Sequence, residues 1–398
     1  MTMPSDSGAT PADALPVIRL KSDRRPGHPW VWSAQVYKPE ARLPPGSVVE
    51  VVDAKGNFVG RGFWNGHARI ALRLLSNDPA EVIDATWIGA RITRAVELRR
   101  ELLTLDQVTD AWRVINSEGD GLSGLVVDRY ADILVIEYFA AGMWKFREAI
   151  HAALLEHFPG ARLYWFAESH VQKQESFDCR SPEAPAAVEV HEHGRRFHAA
   201  PGAGHKTGFF ADQRDNRHHF AQLAKGKRVL DLCCNAGGFA VHALAAGARE
   251  AVGVDMDPGI LEIARANAQA NGVDVSFQQA DIFDWLRDAA ARGEQYDAVV
   301  LDPAKLTRDR SKVFDALKKY FAMNRMALEV IPPGGLLVSC SCTGLVSEAD
   351  FLEMLRRVAL NAGREIQVLH VAGAGADHPV RADVPEGRYL KAVFCRIH

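Results

Sequence analysis

Residues 228–255 read RVLDLCCNAGGFAVHALAAGAREAVGVD. An apolar run ends on an acid and is followed by a turn with two adjacent glycines, a helical stretch, and a second apolar run that also ends on an acid. The same alternation holds from about residue 204 onward, through VSFQQAD, YDAVVLD, GGLLVSCSC and IQVLHVA, each preceded by a helical pattern, to a closing YLKAVFCRI. Strands separated by helices of ten or more residues need crossover connections. The pattern therefore predicts a largely parallel sheet with both faces covered, the doubly wound, Rossmann-like α/β class.

Upstream the periodicity is different. Residues 1–15 are small and polar and read as a frayed tail. Over 16–85, short runs (VIRL, SVVEVV, NFVGRGFW, ARIALRLL) are separated by PG, PPG and NG turn signals, as in a small all-β module. Ile88, Ile92, Ala95, Val96 and Leu98 then give a helix over about 86–105, leading into a small mixed α/β unit that extends to residue 203. In that unit two strand-like runs flank the turn-rich residues 116–124, and a helix follows near 144–157. The last segment is 204–398.

The chain has 398 residues, 47% hydrophobic and 24% charged, which excludes disorder, collagen and coiled coil. No run of about 18 uncharged apolar residues occurs, and the N-terminus lacks a charged-then-apolar leader, so a cytoplasmic protein with no membrane partner is expected. Six scattered cysteines without C-x-x-C pairs fit reduced thiols, neither a disulfide scaffold nor a metal site. The net charge is −3, but residues 17–42, 204–228 and 305–325 hold 19 of the 47 basic and 6 of the 50 acidic side chains. That asymmetry permits a local phosphate-binding face on an acidic protein, although solvated helix faces would look the same.

In an open parallel sheet the strand carboxyl ends share one crevice. Asp231 precedes the turn Asn235-Ala236-Gly237-Gly238-Phe239, Asp255 ends the next strand and can accept two ribose hydroxyls, and Asp281 ends the third, where it suits an adenine amino group. A dinucleotide enzyme would place G-x-G-x-x-G here, and this turn lacks that spacing. Each acid alone could be a helix N-cap. The three in succession describe an S-adenosylmethionine pocket better than an NAD pocket.

The fourth strand ends at Asp302-Pro303-Ala304-Lys305 and the fifth at Ser341-Cys342-Thr343-Gly344, so an acid and a thiol meet beside a methyl donor. Carbon 5 of a pyrimidine is a poor nucleophile. A thiolate adding to carbon 6 makes carbon 5 enamine-like, and a carboxyl near ring nitrogen 3 stabilises the charge created. Cys342 and Asp302 fit these roles, with the thiol pKa expected to be depressed by a helix N-terminus near Ser347 or by the basic residues after Asp302. Cys340 shares the strand parity of Cys342, and an inert buried thiol is the alternative for either.

Several stretches carry a family resemblance. They are Gly27-His28-Pro29-Trp30-Val31-Trp32; residues 116–128, NSEGDGLSGLVVD; residues 206–214, KTGFFADQR; Gly237-Gly238-Phe239; Ser341-Cys342-Thr343-Gly344; Asp377-His378-Pro379-Val380; and residues 385–391, PEGRYLK. Over nearly its whole length the chain resembles the PUA-domain class I S-adenosylmethionine-dependent methyltransferases that make 5-methylcytosine in bacterial 23S ribosomal RNA. The resemblance implies an RNA-binding PUA module at 16–85, a central domain at 86–203, and a methyltransferase domain at 204–398 with Cys342 as nucleophile. By the same likeness residues 206–214 cover the cofactor, with Phe210, Asp212 and Arg214 at its methionine end. The family usually has Asp-Pro-Pro-Lys-Phe where this chain has Ala304 and Leu306, which implies an altered grip on the base before any loss of activity. Alternatives are N-methylation of guanine or another amine, and a catalytically degenerate RNA-binding assembly factor. A homodimer is a further possible partner state.

Overall fold

The computed structural model describes residues 15–202 and 209–398, so Lys206, Thr207 and Gly208 of the cofactor-covering stretch and all but the last residue of the N-terminal tail lie outside the described residues. β1 (Val17–Arg19), β2 (Trp30–Trp32), β3 (Ser47–Val52), β4 (Phe58–Trp64) and β5 (Ile70–Ser76) form one sheet in the order β1-β3-β4-β5-β2, parallel at β1–β3 and antiparallel elsewhere. Residues of these strands meet in a small core of Ile18, Val31, Val49, Val51, Ala71 and Leu72.

α1 (Ala85–Glu97) begins where Asp84 accepts the Trp87 amide, and it buries Trp87, Ile88, Ile92, Ala95 and Val96 along one stripe. The helical spacing continues to Leu98, but the chain widens there into a single π-turn, Leu98–Leu102. β6 (Ala111–Asn116), β7 (Leu125–Tyr130) and β8 (Ile133–Tyr138) follow. The sequence shows two strand-like runs here and the structure has three strands, because Ala131 takes a left-handed φ of +52° and folds the second run back on itself. α2 (Ala141–Lys145) and α3 (Arg147–His157) cross over to β9 (Arg162–Phe166), parallel to β8. After α4 (Ser169–Glu175), β10 (Val188–Glu192) and β11 (Arg195–Ala199) make a hairpin.

α5 (Arg214–Leu223) introduces the large sheet. β12 (Arg228–Leu232), α6 (Gly238–Ala245), β13 (Glu250–Asp255), α7 (Pro258–Ala270), β14 (Ser276–Gln279), α8 (Ile282–Ala291), β15 (Ala298–Leu301), α9 (Val313–Ala327), β16 (Leu336–Ser341), α10 (Glu348–Ala362), β17 (Ile366–Ala372) and β18 (Lys391–Ile397) alternate as the sequence pattern predicts. The strand order is β14-β13-β12-β15-β16-β18-β17, with the first five parallel and β18 antiparallel to both neighbours. α8, α9 and α10 share one core with the sheet, built on Trp285, Tyr320 and Phe351. The β10–β11 hairpin, α5 and α6 contribute Phe197, Phe220 and Phe239 to another. Strand order reverses between β12 and β15, the position at which such sheets open a ligand crevice.

Candidate active site

The turn after β12 is wound tightly. Cys233, Asn235 and Gly237 all have left-handed φ (+58°, +49° and +76°), and a Cβ on Gly237 would lie 2.7 Å from the Phe277 ring. Asp231 sits under this turn, buried. Its Oδ2 accepts the Ala240 amide at 3.1 Å, while Oδ1 has no hydrogen-bond partner among the described residues. Burial, with the negative charge of Asp302 added, raises its pKa to about 8. Asp255 accepts the amides of Asn235 (2.9 Å) and Asp257 (3.0 Å), which anchors the turn to the end of β13. Asp281 accepts the Phe283 amide at 2.8 Å and caps α8, so the plainer reading of that acid is the geometry observed.

Two aromatic residues divide differently. Phe239 is buried and packs edge-on against Phe220 with centroids 5.8 Å apart, which seats α6 on α5. Phe210 is 44% exposed. Gly238 starts α6, where a Cβ would meet the Arg217 side chain at 2.8 Å. Arg217 itself makes a buried bidentate pair with Glu192 (2.6 and 2.7 Å), and His242 joins that carboxylate at 3.0 Å.

At the other end of the crevice, Gln213 Nε2 donates to Asp302 Oδ2 at 2.9 Å, leaving Oδ1 for another partner. Burial and the Asp212 carboxylate raise Asp302 to about 7, so it exchanges a proton near neutrality. Tyr389 donates to Asp212 Oδ2 at 2.6 Å, and Asp212 Oδ1 is buried without a hydrogen-bond partner among the described residues.

Cys342 lies just past the end of β16, partly exposed, with Sγ 3.9 Å from the Pro303 carbonyl oxygen. Cys340, two residues earlier, is fully buried within the core, so the structure separates the two thiols that strand parity leaves equivalent. The expectation of a depressed thiol pKa is corrected. Burial and the Asp302 charge push Cys342 up to about 11, against the smaller opposing pull of Lys305. The helix beyond it does not help, because Ser347 and Asp350 already cap α10 reciprocally.

Thr343 ties this loop down. Its Oγ1 accepts the Leu306 amide (3.2 Å) and contacts Tyr320 Oη (2.9 Å), and its carbonyl accepts from Lys391 Nζ (2.8 Å). Lys391 is buried, and desolvation lowers its pKa to about 8. Leu306, where the family has an aromatic residue, packs partly into the core beside α9.

The guanidinium of Arg214, which the resemblance sets at the methionine end, is engaged by acids of the protein itself. It is 1% exposed, bonded to Asp377 through both terminal nitrogens (2.9 and 3.2 Å) and to Asp215 (3.0 Å), and it clamps the β17–β18 connection onto α5. Sequence reading assigns no role to Gln213, Thr343, Tyr389 or Lys391. All but Thr343 lie inside stretches 206–214 and 385–391, and Thr343 adjoins the cysteine, so position beside a motif was the available signal.

Asp212, Asp231, Asp255 and Asp302 converge on the crevice, and among the described residues none of them is ion-paired. Three of them, Asp212, Asp231 and Asp302, carry an orphaned oxygen or a raised pKa. A ligand bearing positive charge fits such a site, and S-adenosylmethionine carries a sulfonium and an ammonium group.

A family model described as S-adenosylmethionine-dependent methyltransferase matches residues 167–396, and a PUA-like domain model matches residues 21–77. Among curated proteins, the ribosomal RNA large subunit methyltransferase I of Photobacterium profundum is 37% identical over 388 residues, covering 95% of this chain and 97% of its own length. That of Aeromonas hydrophila is 36% identical over 379 residues, covering 93% and 95%. A solved methyltransferase complexed with S-adenosylhomocysteine superposes with a TM-score of 0.80 at 22% identity, over 96% of this chain and 100% of that one, which shows the shared fold. A SAM-dependent methyltransferase from Streptococcus mutans gives 0.79 at 20% identity over the same shares. Among the described residues no helix is long and apolar enough to cross a membrane. With the methyltransferase model over more than half its length and these relatives aligned over more than nine-tenths of it, the chain belongs to the PUA-containing, S-adenosylmethionine-dependent methyltransferase family of the ribosomal RNA large subunit methyltransferase I proteins.

Proposed function

We propose that the protein methylates carbon 5 of a cytosine in 23S ribosomal RNA, with Cys342 as the nucleophile and Asp302 as the group that holds ring nitrogen 3. The observation that carries this reading is the placement of a partly exposed thiol and a proton-exchanging carboxyl on neighbouring loops, closed against each other at the Pro303 carbonyl. The relatives' name supplies the class of RNA. Residues 16–85 would hold RNA, 86–203 would join the two ends, and 204–398 would carry the chemistry.

Bound S-adenosylmethionine supplies an electrophilic methyl group. Asp231, Asp255 and the turn Asn235-Gly237-Gly238 would hold its methionine and ribose parts, Asp281 its adenine, and Asp212 its ammonium end, under Phe210. Gln213 fixes Oδ2 of Asp302, so a proton on Oδ1 can be donated to nitrogen 3 of the base. A protonated Asp302 also removes the anion that holds the Cys342 thiol up, so binding the base and forming the thiolate are coupled. The Cys342 proton passes to solvent and the thiolate adds to carbon 6 as Asp302 gives its proton to nitrogen 3. Carbon 5 then takes the methyl, and when water removes the carbon 5 proton the carbon 5–carbon 6 double bond re-forms, the thiolate is expelled and the nitrogen 3 proton returns to Asp302. Thr343, held by Lys391 and Tyr320, keeps the nucleophile loop in place through these steps.

The test is methyl transfer from labelled S-adenosylmethionine to unmodified 23S rRNA with nucleoside analysis, for the wild type and Cys342→Ala. Product 5-methylcytosine from the wild type alone is expected. The elevated thiol pKa is the one observation that favours the amine N-methylation reading, and a methylated amine made equally by Cys342→Ala would establish that reading instead.

A further inference from the structure

We infer that the outer face of the first turns of α9 is a docking platform for single-stranded RNA, on which the Phe314 ring stacks a base a few nucleotides from the one methylated. The inference rests on the proposed RNA substrate and deepens it. Phe314 is 64% exposed at the start of a helix whose other aromatic residues, Tyr320 and Phe321, are fully and partly buried against the core. A ring left mostly in water adds little burial to folding.

Its surroundings are cationic. Lys318 Nζ sits 4.4 Å from the ring centroid, and Arg310, Lys312 and Lys319 are exposed nearby in the chain, with Lys305 exposed on the loop that leads there from Asp302. Residues 305–325 carry seven basic side chains and two acids. Of the acids, Asp309 accepts the Ser311 amide and Asp315 lies 3.7 Å from Lys318. An exposed ring among cations is the combination that single-stranded nucleic acid uses, with bases on the π-face and phosphates on the charges. An acidic protein would also be drawn to these charges, but it would make no use of the ring face.

The platform is close to the chemistry. Leu306, on the same connecting loop, donates its amide to Thr343, and Tyr320 of α9 contacts that threonine's hydroxyl, so both ends of the segment are pinned beside the nucleophile loop. Phe314 is six residues from Tyr320, an axial distance of about 9 Å on a helix. That is within reach of a strand whose target base is turned into the crevice.

Full-length protein and unmodified 23S rRNA fragments test this, by steady-state methyl transfer over a series of salt concentrations. Phe314→Ala should raise the KM for RNA by about five- to 150-fold, the range for one base–aromatic stack, with kcat and the KM for S-adenosylmethionine unchanged. Phe314→Trp should restore binding and Phe314→Leu should not. Lys318→Gln with Lys319→Gln should flatten the plot of log affinity against log salt by about 0.7 per lost phosphate contact. An abasic site at one position flanking the target should reproduce the Phe314→Ala loss and add nothing to it. Phe314→Ala within twofold of wild type, or Leu performing as well as Trp, overturns the platform while leaving the methyltransferase reading intact. A loss seen only with ribosomal particles and not with naked RNA also overturns it, in favour of a protein contact. No methyl transfer by the wild type to any large-subunit RNA removes the proposed function, and this inference with it.

Discussion

The Cys342 thiol is raised by about two units above its ordinary value of 9.0, to about 11. That is roughly 3 kcal/mol against forming the thiolate, and at pH 8 it leaves on the order of one thiol in a thousand ionised. Asp302 is the largest charge acting on it, so Asp302→Asn is the informative perturbation. If the substitution relieved the whole rise, the thiolate fraction would grow by about a hundredfold. Nucleophilicity falls with pKa, with a Brønsted slope of about 0.4–0.5, so alkylation would gain about tenfold at most. The assay is iodoacetamide labelling of the cofactor-free protein between pH 7 and 10, with Cys342→Ala subtracted to remove labelling at the other cysteines. Wild-type labelling should be slow and rise about tenfold per pH unit across that range. Asp302→Asn should label faster at pH 8, by more than twofold and no more than about tenfold. Rapid, pH-independent labelling of wild-type Cys342 at pH 7 would refute the reasoning, because it would mean a thiolate already stabilised by a group to which this structure gives no such effect.

Two further outcomes concern stability. Asp231 is raised from 3.8 to about 8, so the folded chain binds its proton more tightly than the unfolded chain, and its contribution is complete below about pH 4 and lost as pH climbs through 8. Asp231→Asn, which keeps an acceptor for the Ala240 amide, should therefore raise the cofactor-free Tm at pH 8 by about 1 °C or more, the shift expected for about 1 kcal/mol in a chain of this length, and should weaken its pH dependence; a lower Tm at pH 8 would contradict this. The buried Glu192 carboxylate is held well below the usual range, with Arg217 and His242 overcoming the burial that opposes ionisation, and its stabilisation is present above about pH 4.5 and lost as pH falls. Glu192→Gln should cost about 3–5 kcal/mol in urea unfolding by stranding the Arg217 charge, and Glu192→Leu with Arg217→Met should recover most of it; a single-variant loss under 1 kcal/mol would show the pair to be expendable.

The large sheet was legible because its signal is local. Apolar runs such as Ala298–Leu301, buried along their whole length, and helices such as α10 with its Ser347 cap announce themselves within a dozen residues. What stayed hidden depends on distance along the chain. Lys391 pairs in register with Ser341 only because β18 inserts antiparallel between β16 and β17, so a residue 48 positions from Thr343 comes to hold the Cys342 loop. The pairing of Arg214 with Asp377, 163 residues off, is likewise invisible in the local sequence. The thiol pKa was misjudged for the same reason. Counting nearby lysines ignores burial and the Asp302 carboxylate, and those two decide the sign.

The motifs near the start, middle and end of the chain, which sequence reading could only quote as separate resemblances, form one junction. Trp30 donates to Glu118 at 2.7 Å, His28 meets Glu386 at 3.3 Å, and Asn116 donates to the Pro379 carbonyl at 2.9 Å. Asp377 accepts the Arg113 amide as well as Arg214, while Arg99 reaches both Asp120 and the Asp377 carbonyl. Gly119 has no room for a Cβ against the Pro379 carbonyl, which accounts for a glycine there. The connection between β17 and β18 thus grips the β1–β5 and β6–β9 sheets on one side. On the other it ends in Tyr389 and Lys391, which reach Asp212 and Thr343. Since most of these contacts involve a charged or buried polar group, loosening one strands its partner, and the junction resists sliding more than an apolar seam of equal size would. On the proposed function, RNA held by the N-terminal sheet would be presented to Cys342 in a fixed geometry, which fits a substrate whose single target must be set against thiol, carboxyl and methyl group at once.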